Sequence, residues 1–111
     1  MNTEETTSPF RILSLDGGGA KGAFTLGVLQ GLESQFGGPL HEHFDLIYGT
    51  STGAIIAAYL ALGFSVSDIY SNYLEIIPRV MSKWTKKARS EALRDAADKE
   101  FGRYTFHDVR C

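Results

Sequence analysis

The chain has 111 residues, 43% hydrophobic and 22% charged, with a formal net charge of -2 and a pI near 5.9. This is apolar material for one domain or part of one, and the acidic balance gives no case for a nucleic-acid polymer as partner. The first ten residues, MNTEETTSPF, carry two glutamates and lack the apolar centre of a secretory signal, and the longest apolar run, residues 53–64, is too short to span a bilayer. With Cys111 as its only cysteine, the chain forms no internal disulfide and suits a reducing cytoplasm.

In chain order, a polar leader over residues 1–9 precedes FRILSLD, residues 10–16, which is predicted to be a strand. Gly17-Gly18-Gly19-Ala20-Lys21-Gly22 follows, and then a helix to about Phe36. Phe24, Val28, Leu32 and Phe36, at i, i+4 steps with Leu29 beside them, are expected to form its inner stripe. Gly37-Gly38-Pro39 ends it. Residues 44–48 read as a second, buried strand, and residues 54–62 as a helix apolar on every face, closed by Gly63. Strand, helix, strand over this length predicts a right-handed parallel crossover. Further on, Ser65 and Asp68 suggest a capped helix running towards Ile77 and stopped by Pro78. Another helix is expected from Lys83 to Phe101, with Trp84, Ala88, Ala92 and Ala96 on one face, Leu93, Ala97 and Phe101 alongside, and Gly102 at its end. The tail from Tyr104 reads as a loop or the start of a strand, so residues 10–111 look like the N-terminal portion of a larger α/β domain.

The chemistry is concentrated at Gly49-Thr50-Ser51-Thr52-Gly53, a G-x-S-x-G set between a strand and a helix. Such an abrupt passage strains the central residue and needs neighbours without a Cβ, here Gly49 and Gly53. It places the Ser51 hydroxyl at the first turn of a helix, where unpaired N–H groups favour an anion. Parallel strands put the glycine loop and Ser51 on the same edge of the sheet. The loop is open to several readings. A dinucleotide fingerprint wants an acidic residue at the end of the second strand, where Gly49-Thr50-Ser51 stands instead. A Walker phosphate loop wants a lysine after its last glycine, whereas Ala23 follows Gly22. A glycine turn serving only tight packing and an oxyanion hole remain, the latter built from the Gly18 and Gly19 amides with the Thr52 N–H.

DGGGAKG followed about thirty residues later by GTSTG resembles the opening of the patatin-like phospholipases, which pair a D-G-G-G-x-[KR]-G loop with G-x-S-x-G. The resemblance covers roughly residues 10 to 81. It implies a three-layer α/β fold with a parallel central sheet, of which only the strand-helix-strand-helix portion is present. It also implies a lipid acyl hydrolase with a Ser-Asp dyad, Ser51 as nucleophile, and the loop of Gly17, Gly18, Gly19 and Gly22 as oxyanion hole. FRILSLDGGGAKG, FDLIYGTSTGAIIAAYLALG and IIPRVMS further resemble bacterial members that act as cyclic-nucleotide-activated effectors in anti-phage signalling. That narrower likeness implies a membrane phospholipid substrate, a cyclic-nucleotide activator and a cytoplasmic protein that works at the inner face of the membrane. A homo-oligomer is compatible with it. No cofactor and no metal are expected.

The base is missing. His41 and His43 precede the second strand while Ser51 follows it, and five residues of strand at about 3.3 Å each separate them by roughly 17 Å. His107 lies in the tail. Asp16 shares the edge with Ser51, but its expected work is to hold the glycine turn. The family's catalytic aspartate lies in a later D-G-[GA], and none of Asp45, Asp68, Asp95, Asp98 or Asp108 is followed by glycine. The chain alone is therefore expected to be inactive. Arg79, Lys83, Lys86, Lys87 and Arg89, with Met81 and Trp84 among them, form a basic segment fit for a solvated helix face or an anionic membrane surface. The competing class of function is a module that binds a phosphate or nucleotide without catalysis.

Overall fold

The computed structural model describes residues 9–18, 21–83 and 85–110; Gly19, Trp84 and the leader up to Ser8 lie outside the described residues. Within them the chain forms β1 (Ile12–Leu15), α1 (Gly22–Phe36), β2 (Leu46–Gly49), α2 (Thr52–Ala61), α3 (Val66–Met81) and α4 (Lys86–Phe101). Short 3-10 turns occupy Leu40–Glu42 and Phe106–Asp108, the second in the tail that was expected to be a loop or a strand. β1 and β2 pair in parallel, with Ile12 opposite Leu46 and Leu15 opposite Gly49. The alternation of a strand turns Leu13, Leu15 and Ile47 to one face of this pair, where they pack into the core, and Ile12, Leu46 and Tyr48 to the other, where they are exposed. The α/β reading with a parallel sheet therefore holds.

α2 is the centre of the core. Ile55, Ile56, Ala57, Tyr59 and Leu60 are all buried, against the sheet on one side and α3 on the other. α3 buries Val66, Ile69, Tyr73, Ile76, Ile77 and Val80, a stripe at steps of three and four residues. Its start is capped as expected, the Asp68 N–H donating to Ser65 Oγ at 3.2 Å, and Glu33 of α1 accepts from the Val66 N–H at 3.3 Å.

Three expectations fail on packing. β2, expected to be buried, leaves Leu46 and Tyr48 exposed, because no element among the described residues covers that face of the strand pair. The inner face of α1 is Gly22, Leu26 and Leu29 with Leu32 half-buried beside them; of the expected stripe Leu29 and Leu32 do face the core, whereas Phe24, Val28 and Phe36 are 78%, 51% and 43% exposed. Both stripes are apolar, and the helix turns inward the one that meets α3, a contact that repeats along a single helix cannot reveal. Nor does Pro78 stop α3, which runs through it to Met81. Proline there forfeits one bond, to the carbonyl of the half-exposed Leu74, while buried Ile77 and Val80 hold the last turn down.

α4 has no fully buried residue. It starts at Lys86 rather than Lys83, because the Thr85 hydroxyl caps it by accepting from the Ala88 N–H at 3.0 Å, and it ends at Gly102 as expected. Tyr59 anchors it: the hydroxyl donates to Glu100 at 2.9 Å, and the ring meets Phe101 edge-on at 4.7 Å. Burial, and then the Glu100 carboxylate beside it, hold the Tyr59 hydroxyl well above its ordinary pKa. Tyr59→Phe is expected to destabilise the chain by roughly 1–2 kcal/mol at neutral pH. The raised pKa adds a sign. The contribution is complete below about pH 10, where unfolded tyrosine is neutral, and is lost as the pH rises further and only the unfolded chain ionises freely. Denaturant melts should therefore show the gap between wild type and Tyr59→Phe narrowing above that pH.

Candidate active site

The chain leaves β2 at Gly49 and enters α2 at Thr52. Between them Ser51 takes φ 55°, ψ -126°, the only positive φ of a non-glycine residue among the described residues. An L-residue held there costs about 1–3 kcal/mol and persists only where its surroundings over-determine it. They do so here: Thr50 N–H donates to the Leu15 carbonyl at 3.1 Å, Gly53 N–H to Thr50 at 2.9 Å and Ala54 N–H to Ser51 at 2.9 Å. The same turn drives the start of α2 onto β1. A Cβ on Gly49 would lie 2.5 Å from the Gly53 backbone, and one on Gly53 would lie 2.5 Å from the Leu15 carbonyl oxygen. Both glycines are thus required by backbone approaching backbone. Ser51 itself is exposed, and its hydroxyl caps nothing.

The glycine loop lies against this turn. A Cβ on Gly17 would meet Ser51 Cβ and the Thr50 carbonyl at 2.8 Å and Ser51 Oγ at 3.5 Å. Gly18 follows at φ 139°, a conformation open to glycine, and its carbonyl accepts from the Lys21 N–H at 3.1 Å to start α1. The N-terminal ends of α1 and α2 are therefore drawn to one neighbourhood. Neither has a side-chain cap or an acidic residue in its first turn, whereas α3 and α4 are capped by Ser65 and Thr85. Two uncapped positive helix ends beside one free hydroxyl make a place for negative charge. In the first turn of α2 the Thr52 N–H makes no backbone hydrogen bond among the described residues. The Gly22 N–H, by contrast, already meets the buried hydroxyl of Tyr73, so this glycine faces α3. Tyr73 escaped the sequence reading, although a tyrosine in the inward stripe of α3 needs a partner for its hydroxyl and was visible as such.

The histidines stay away. His41 and His43 lie at the opposite end of β2, where His43 stacks on Phe36 at 4.7 Å. His107 borders a hollow with Leu62 and Phe64, beyond the far end of α2, a helix roughly 15 Å long. The Asp16 carboxylate, expected to hold the glycine turn, is exposed and has no hydrogen-bond partner among the described residues. A groove of about 370 Å³ runs from Ser51 between α2 and α4, past Ala54, Ala58, Leu93 and Ala97 to Phe101, with Arg94 at its side. A larger hollow of about 740 Å³ follows the unpaired edge of β2 and the small residues Ala54, Ala57, Ala58 and Ala61; it does not reach Ser51 and is an uncovered sheet edge.

The profile of the family described as "Patatin-like phospholipase" matches residues 13–110. The chain belongs to the patatin-like phospholipase family. Within it, the chain is 56% identical over 99 residues to a "cUMP-AMP-activated phospholipase" of Escherichia coli, an alignment covering 89% of this chain and 31% of that one. To a "cGAMP-activated phospholipase" of Pseudomonas aeruginosa it is 31% identical over 112 residues, covering 91% and 34%. To "Phospholipase A I" of Arabidopsis thaliana it is 40% identical over 90 residues, covering 69% and 7%. The chain thus spans about a third or less of the length of these relatives. No solved structure gives a significant match.

The packing of the patatin-like turn yields a paired expectation. Gly53→Ala should destabilise the chain by about 3 kcal/mol, because the added methyl meets backbone that cannot move aside. Gly31→Ala, on α1 with nothing within 4 Å of the new Cβ, should stabilise it by about 0.5–1 kcal/mol. Urea unfolding of the two variants measures both.

Proposed function

We propose that this chain carries the nucleophile and oxyanion hole of a lipid acyl hydrolase. The observation that supports the reading most is Ser51: strained, exposed, uncapped, and packed against the glycine loop at the meeting of two uncapped helix ends. Ser51 Oγ attacks the ester carbonyl, and the oxygen that gains charge is met by the amides of Gly18 and Thr52. Gly19 lies outside the described residues and is the third donor of the proposal. Collapse of the tetrahedral intermediate breaks the ester bond, the lysolipid alcohol leaves with the proton that Ser51 lost, and water later releases the acyl group. The groove between α2 and α4 begins at the nucleophile and is lined mostly by carbon, which suits the acyl chain of the substrate.

The proton acceptor is the missing half. The sequence has no second Asp-Gly motif and, among the described residues, no histidine lies near Ser51, so the base is proposed to come from outside residues 1–111. Relatives named as cUMP-AMP-activated and cGAMP-activated support a cyclic-nucleotide activator for the whole protein; the role in anti-phage signalling rests on the sequence resemblance and is part of the proposal. No helix among the described residues is long and apolar enough to cross a membrane. The exposed Arg79, Lys83, Lys86, Lys87 and Arg89 favour peripheral contact with anionic lipid at the cytoplasmic face, and the whole enzyme is open to homo-oligomerisation.

The test is phosphonylation. An alkyl fluorophosphonate should add to the chain once, at Ser51, slowly but measurably by intact mass. Ser51→Ala should abolish the adduct, and Gly18→Ala should slow it about 100-fold. Residues 1–111 alone should turn over no activated ester. An unmodified Ser51, or an adduct that survives Ser51→Ala, contradicts the reading and favours a serine that only binds a ligand. Ala97→Trp should separate the groove from the chemistry: it should block a hexadecyl probe while leaving an ethyl probe at the wild-type rate.

A further inference from the structure

We propose that Tyr73 is a positioning residue that sets the distance between the glycine loop and the Ser51 turn. The inference rests on the reading of Ser51 as nucleophile. Tyr73 lies in the middle of α3, is 2% exposed, and shares its stripe with the buried Ile69, Ile76 and Ile77. Its ring is thereby fixed on a helix that contributes nothing else to the site. The hydroxyl reaches over Gly22, the first residue of α1, so closely that a Cβ there would fall within the phenol itself. It accepts the Gly22 N–H and faces the side chain of Thr52, the first residue of α2 and the immediate neighbour of Ser51. Thr52 Oγ1 is itself buried and has no well-formed hydrogen bond among the described residues, and the Tyr73 phenol is a polar group with which its side chain interacts.

One phenol thus stands between the first residues of the two helices whose N-terminal ends make the site. Those ends carry like partial charge, and drawing them together is unfavourable unless an acceptor lies between them. Burial, the larger influence, raises the Tyr73 pKa, while the Gly22 N–H and the Thr52 side chain act the other way, as groups that donate to the phenol oxygen do. The last glycine of the loop then has a defined task. It leaves the space that the phenol fills and surrenders its own amide to it, so the donors left for an oxyanion are those nearer Ser51. Changing the phenol should shift this spacing without touching the reacting atoms.

The experiment compares Tyr73→Phe, which keeps the ring and its packing, with Tyr70→Phe, an exposed tyrosine on the same helix. Amide hydrogen exchange in the 111-residue chain should quicken at least tenfold at Gly22 in Tyr73→Phe, and the Thr52 methyl resonance should shift, with exchange at Ile69 and Ile76 unchanged. Phosphonylation of Ser51 should slow about tenfold, and the 31P shift of the adduct should move, reporting altered donors around the phosphoryl oxygen. Tyr70→Phe should change none of these. Exchange at Gly22 and a Thr52 methyl resonance that both match wild type overturn the proposal, as does uniform quickening throughout α3, which marks a merely structural tyrosine. A wild-type chain that is not phosphonylated sinks the reading of Ser51 instead, and the exchange comparison still decides whether Tyr73 bridges the two helices.

Discussion

The structure depends on one close approach, that of the first turn of α2 to the end of β1. Gly53 sits where any side chain would enter the Leu15 carbonyl, and Gly49 where any side chain would enter Gly53. Because that gap admits nothing larger than hydrogen, the chain can pass from strand to helix within two residues. The passage is possible only if Ser51 takes a backbone conformation that L-residues avoid. Strain at the nucleophile is thus a consequence of how tightly a buried helix seats on a parallel sheet. The stability that holds it comes from the fully buried face of α2.

Electrostatics follow from the same seating. Crossover topology brings the glycine loop after β1 to the side of Ser51, and with it the start of α1. The chain caps the helices that serve only packing and leaves the two that converge on Ser51 without cap or carboxylate. Uncapped amides cost stability unless something accepts from them. At Gly22 that acceptor is Tyr73. At Thr52 it is open, which is what a site for a transient oxyanion requires.

Much of this was legible in the letters. G-x-S-x-G between a strand-like run and an all-apolar run has few structural solutions, and the glycine loop after β1 constrains the same corner. What the letters hid were choices made by neighbours distant in sequence. α1 carries two apolar stripes, and only α3 decides that Leu26 joins the expected Leu29 inside while Phe24 and Val28 stay out. Pro78 looked like a stop because local rules count the lost hydrogen bond but not the burial of Ile77 and Val80 around it. Tyr73 belongs to the same class: its stripe was readable, its hydroxyl's destination was not.

The account is tested most directly by the geometry of Ser51 in solution. A nuclear Overhauser experiment on the 111-residue chain should show strong cross-peaks between the Gly17 Hα and Ser51 Hβ protons, with a Ser51 backbone coupling typical of positive φ. Absence of those cross-peaks, or a coupling typical of an ordinary first helical turn, would mean that loop and nucleophile do not share a corner, and the account would fall.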